Sequence, residues 1–98
     1  MGEFMYGSVA RTRVKPENRD KLREVVTRQM GGSPPAGYVT AYTLFENEGD
    51  TAWMFAVFED RASYEKNADD PKMNEMYLEY RALMEADPEW HDGEIETM

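Results

Sequence analysis

The stretch Thr51-Ala52-Trp53-Met54-Phe55-Ala56-Val57-Phe58 decides the fold. Its side chains alternate in the two-residue period of a strand, yet both faces are apolar. Trp53, Phe55 and Val57 form one face, and Met54, Ala56 and Phe58 form the other. A strand that is apolar on both sides belongs in the middle of a sheet covered by two layers. Helices supply one layer, and something else must supply the second.

Working outward, Asn47-Glu48-Gly49-Asp50 is a polar turn of hairpin length. Residues 37–46 read as the strand before it, with Tyr38, Thr40, Tyr42 and Leu44 opposite Val39, Ala41, Thr43 and Phe45. On the other side, Asp60 is placed to cap a helix over 62–68. Asp69-Asp70-Pro71 then interrupts and restarts it, with Asp70 as a second cap and Pro71 at a first helical position. A longer helix runs to residue 86, carrying Met73, Met76, Tyr77, Tyr80, Leu83 and Met84 three or four apart. Asp87-Pro88 ends it, and residues 89–98 return as a last strand.

Nearer the start, residues 6–14 alternate amphiphilically, with Tyr6, Ser8, Ala10, Thr12 and Val14 opposite Gly7, Val9, Arg11 and Arg13. Lys15-Pro16-Glu17-Asn18 closes that strand, and Leu22, Val25, Val26 and Met30 come next at helical spacing. Gly31-Gly32-Ser33-Pro34-Pro35 stops the helix. The order β-α-β-β-α-β predicts a ferredoxin-like α+β sandwich: one antiparallel sheet with helices on a single side. Trp53, Phe55 and Val57 then lie on the uncovered face, and such a patch marks an interface. A second copy of the chain, pairing sheet to sheet as a homodimer, would close a barrel.

Composition narrows the partners. The chain has 98 residues, enough for one domain over residues 5–98; Met1-Gly2-Glu3-Phe4 read as a cloning remnant ahead of a natural start at Met5. Its net charge is −9, from 20 acidic against 11 basic groups, which argues against nucleic acid and anionic membrane surfaces. With no cysteine and one histidine, thiolate chemistry is excluded, and no metal site is expected. No apolar run approaches the roughly 20 residues of a membrane span, so a cytoplasmic protein is expected.

The element order, Val57-Phe58-Glu59-Asp60-Arg61-Ala62-Ser63-Tyr64 and Asn67-Ala68-Asp69-Asp70-Pro71 together resemble the antibiotic-biosynthesis-monooxygenase-like domains of the dimeric α+β barrel superfamily. The resemblance spans nearly all of residues 6–95. It implies a ligand cavity between sheet and helices, and an oxygenase chemistry that needs no cofactor, on a small aromatic or quinol-type molecule. The haem-degrading branch resembles a pattern of Asn, Trp and His that falls here on Val9, Phe58 and Tyr77, so haem is disfavoured. The alternative is a non-catalytic homodimer of the same fold that binds a small hydrophobic molecule or serves in stress.

Under the resemblance, Tyr77, Tyr80, Arg11 and His91 are the candidate catalytic groups. Val9, Met54, Phe58, Met73 and Met76 are the candidate substrate-binding walls. Arg11 shares a strand face with Val9, which the resemblance turns towards the helices; a guanidinium there could steady an enolate or phenolate, or pair with Glu75 or Glu79. The tyrosines could bond a phenolic oxygen, although they equally suit plain core packing with each hydroxyl sent to a partner. His91 could accept a proton, or simply bond across the sheet. Asp92 falls on the opposite strand face from His91, so the two form no dyad without a bend.

Overall fold

The computed structural model describes residues 4–30 and 34–97, without the side chain of Met30. The expectations placed on Met1, Gly2 and Glu3, on Gly31, Gly32 and Ser33, on Met98 and on the Met30 side chain lie outside the described residues. The elements occur in the expected order. They are β1 (Met5–Arg13), a single 3-10 turn (Pro16–Asn18), α1 (Arg19–Met30), β2 (Tyr38–Phe45), β3 (Thr51–Phe58), α2 (Arg61–Ala68), α3 (Pro71–Arg81) and β4 (Glu89–Ile95). The strands form one antiparallel sheet in the order β2-β3-β1-β4, the ferredoxin-like arrangement.

Asp60 and Asp70 cap α2 and α3 as their positions predict. The Ser63 backbone N–H donates to Asp60 Oδ1 at 2.8 Å, and the Lys72 N–H donates to Asp70 Oδ1 at 2.9 Å. These contacts satisfy N–H groups that a helix start otherwise leaves unpaired. α3 stops at Arg81, five residues short of the expected end at 86. Beyond it the bonds tighten to three-residue steps, Leu83 N–H to Tyr80 O and Met84 N–H to Arg81 O, each 3.0 Å. Arg81 holds the turn by donating to Met84 O at 3.1 Å and to Asp87 Oδ1 at 2.8 Å. The turn delivers Met84 into the core, and β1 fastens Glu85 and Ala86 beyond it. Glu85 N–H donates to Arg13 O at 2.8 Å, and the Thr12 hydroxyl donates to Ala86 O at 3.1 Å.

The core joins Val14, Leu22, Ala52 and Met84, with Val26, Phe45, Met54, Tyr80 and Leu83 packed around it. It lies wholly on the helix side of the sheet. The register places Tyr6, Ser8, Ala10 and Thr12 of β1 on that side, in line with Phe58, Ala56, Met54 and Ala52 of β3. Gly7, Val9 and Arg11 share the other side with Val57, Phe55 and Trp53. Val9 and Arg11 therefore face away from the helices, contrary to the expectation drawn from the resemblance. The buried face of β1 is its small and hydroxylated one, because Ser8 and Thr12 find polar partners there while their size lets the helix layer approach.

The helix-free face stays apolar and open. Tyr42 is 65% exposed, Leu44 49% and Phe55 39%. Gly7 is required by close approach: a Cβ added there would meet Ala56 O at 1.9 Å.

Candidate functional site

Three parallel rows of residues cross the helix side of the sheet, and they differ sharply in size. The middle row is Ala41, Ala56, Ser8 and Asp92. One neighbouring row carries Tyr38, Phe58, Tyr6 and Glu94; the other carries Thr43, Met54, Ala10 and Trp90. Short side chains between aromatic and thioether ones make a trough across the sheet. Its wall at the α2 end is a chain of rings: Tyr38 to Phe58 at 5.9 Å, Phe58 to Tyr64 at 5.8 Å and Tyr64 to Tyr6 at 5.3 Å between centroids. Tilted and edge-on contacts of this kind hold rings in fixed orientations. On the far side, Tyr77 of α3 meets Trp90 at 6.2 Å and Tyr80 at 6.0 Å.

The trough has one polar focus. The Tyr64 hydroxyl, carried in by α2, donates to Asp92 Oδ1 at 3.0 Å, and Ser8, buried in the floor, acts on the same phenol. Burial pushes the Tyr64 phenol above its ordinary value; the Asp92 carboxylate adds to the rise and the Ser8 hydroxyl opposes it. Tyr64 is therefore a neutral donor at neutral pH, hydrogen-bonded to Asp92. The arrangement can relay a proton from a bound hydroxyl to a carboxylate. Burial also raises Tyr80, with Tyr77 adding to it, as suits a phenol packed against the core.

Of the expected site residues, Met54 and Phe58 lie on the trough side, Tyr77 and Tyr80 stand on α3 above it, and Met73 and Met76 are half-buried on the same helix. Val9, Arg11 and His91 are on the other face and cannot join them. There, Arg11 Nη2 donates to Glu89 Oε2 at 3.3 Å, and His91 Nε2 shares a hydrogen bond with Glu89 Oε1 at 2.8 Å. His91, with Arg11, holds the Glu89 carboxyl below its usual range. Arg11 thus pairs with neither Glu75 nor Glu79; the latter is bonded by Arg28 and Gln29. Sequence reasoning missed Tyr64 and Ser8 as site residues. The available signal was that Asp92, excluded as a partner for His91, must face something else.

Trp53, Phe55 and Val57 line the helix-free face, as expected, where Trp53 Nε1 donates to Glu46 Oε2 at 2.8 Å. Among the described residues no group of three or more His, Asp or Glu side chains is placed to hold a metal. Nor, among them, is any helix long and apolar enough to cross a membrane.

No protein-family model and no curated protein sequence matches this chain. Solved structures do. A monooxygenase from the gene ActVA-Orf6 of Streptomyces coelicolor, in complex with nanaomycin D, superposes with a TM-score of 0.82 at 20% identity, over 98% of this chain and 91% of that one. SnoaB, a cofactor-independent oxygenase from Streptomyces nogalater, gives 0.78 at 18% identity over 97% and 96%. A conserved protein from Methanosarcina mazei Go1 gives 0.78 at 14% over 96% and 95%. At these identities the likeness is one of architecture: the chain has the ferredoxin-like α+β fold of the antibiotic-biosynthesis-monooxygenase-like proteins.

Proposed function

We propose that the protein is a monooxygenase-like oxidoreductase that oxidises a small aromatic or quinol-type molecule in the trough between sheet and helices, without a cofactor. The observation that carries this reading is the Tyr64–Asp92 hydrogen bond at the end of a small-residue floor flanked by rings. The likeness in fold to cofactor-independent oxygenases supports it. A flat substrate lies along Ala41, Ala56 and Ser8, and its hydroxyl gives a proton to the Tyr64–Asp92 pair. The resulting anion is electron-rich enough to reduce O₂. In an anthrone-type substrate one oxygen atom bonds to the ring CH₂ carbon, which becomes a carbonyl; the O–O bond breaks, the second oxygen leaves as water with the two hydrogens lost from that carbon, and the pair returns its proton to the product hydroxyl. Tyr77 and Tyr80 bound the far wall, and Arg11, His91 and Val9 take no part.

In this reading residues 5–98 act as one unit in the cytoplasm, and a second copy covers the open face around Phe55, Tyr42 and Leu44. Their exposure supports the homodimer, since contiguous apolar surface of this kind is characteristic of interfaces. Oxygen consumption with hydroxylated anthrones and aryl quinols tests the proposal. Turnover above the buffer rate is expected. A rate equal to buffer across the series, with a thermal shift on ligand addition, would replace the oxygenase with the non-catalytic binder.

A further inference from the structure

A second recess opens at the edge of the molecule, between α1 and β2. It is a cleft of about 210 Å³ lined by Leu22, Val26 and Phe45 with Thr27, Thr43 and Arg23. Leu22 at its base is only 1% exposed, so its floor is core. Two guanidiniums approach one ring at this lip: Arg23 Cζ stands 5.0 Å and Arg19 Cζ 5.1 Å from the centroid of Phe45. Carboxylates accompany both guanidiniums, Asp20 beside Arg23 and Asp50 near Arg19. Arg19 is tied down, donating to Glu46 O at 3.2 Å and Gly49 O at 2.9 Å, and its Nε is buried without a partner. Among the described residues the ion pair of Arg23 is with Asp20 one turn back at 2.5 Å, a pair whose side chains are 57% and 90% exposed. Exposed pairs one helical turn apart contribute little, so Arg23 can exchange that carboxylate for another at small cost.

We infer that the cleft between α1 and β2 binds a small aromatic carboxylate, its rings against Leu22, Val26 and Phe45 and its acid on Arg23. The apolar base requires an apolar body, the ring under the guanidinium favours a flat one, and Arg23 is the charged group at the mouth. The Thr27 and Thr43 hydroxyls supply further donors. The volume is below the roughly 300–1,000 Å³ of drug-sized sites, which limits the occupant to one or two rings. This site does not depend on the oxygenase reading, and of the rows that form the trough only Thr43 enters its lining.

Titration of the labelled full-length protein with 1-naphthoate, monitored by amide chemical shifts, tests the inference. Saturable shifts are expected at Leu22, Arg23, Val26, Thr27, Thr43 and Phe45. Arg23→Gln should weaken binding about fivefold, the scale of one exposed charge contact, and the neutral 1-naphthalenemethanol should bind the wild type more weakly by a similar factor. Thr43→Phe, at an exposed strand position that tolerates size, should fill the cleft and abolish the shifts. Shifts centred on Tyr64 and Asp92, or equal binding of the acid and the alcohol, would overturn it, as would full affinity in Arg23→Gln.

Discussion

The two faces of this sheet are built from the same four strands and obey opposite rules. On the helix side a row of small residues, Ala41, Ala56 and Ser8, runs between rows that carry Phe58, Tyr6, Met54 and Trp90, and the helices close over it. On the other side the strands themselves carry the bulk, as Trp53, Phe55, Tyr42 and Leu44, with no helix above them. Short side chains in the middle row let the helix layer approach, whereas the helix-free face keeps its large side chains outward. The difference also separates two polar groups, one on each face. Tyr64–Asp92 lies under α2, whereas Glu89 with His91 and Arg11 lies on the open sheet.

The largest expected effect lies on the covered side. Leu22→Ala removes a fully enclosed side chain and should cost about 2–5 kcal/mol in denaturant unfolding. Phe55→Ala, on the open side, should cost far less at protein concentrations too low for pairing. Equal losses would erase the distinction between the faces. Next, Tyr64→Phe should lower turnover roughly a hundredfold, the scale of a lost proton-transfer group, while His91→Ala leaves it unchanged. A reversed pattern in the steady-state rates would move the chemistry to the open face.

Phe55→Glu sharpens the comparison from the other direction. Phe55 sits between Val9 and Tyr42 and carries no polar group, unlike Trp53, whose indole already bonds Glu46. A carboxylate buried there without a partner is costly, so the variant should run at half the wild-type mass in light scattering with its circular dichroism intact. An unchanged mass would leave that face without a twin.

The smallest effect concerns acid stability. The Ser63 N–H holds the Asp60 carboxyl below the ordinary carboxylate range, so its folded value is lower than its unfolded one. Its contribution is therefore present above about pH 3.8 and is lost as pH falls through the folded value. Asp60→Asn keeps the cap but not the titration, and its melting temperature should fall less steeply than the wild type's below that pH. Parallel slopes would assign the acid sensitivity elsewhere, to Asp50 beside Arg13 or Glu89 beside His91, whose carboxyls are also depressed.

The fold was legible because alternation and punctuation agree. β3 is two-faced, Asp60 and Asp70 stand at helix starts, and polar turns separate the strands. The site was less so, for a reason located in β1. Its buried face carries Ser8 and Thr12 beside Ala10, and its open face holds Val9 beside Arg11 and Arg13, so each face mixes polar with apolar side chains. Only the contacts tell them apart: the Thr12 hydroxyl reaches Ala86 O, and Ser8 meets Tyr64. The end of α3 escaped for a similar reason. Leu83 and Met84 keep the helical period, but Met84 reaches the core through a tighter turn that no spacing rule encodes.

The succession Ala41, Ala56, Ser8 has a further consequence. What a ligand meets there is the absence of side chain, and absence can be adjusted one methyl group at a time without touching a hydrogen bond. Ala56→Val or Ala41→Val would shallow the channel and leave Tyr64 and Asp92 in place. Under the proposed function, which molecules fit can thus drift independently of the groups that act on them.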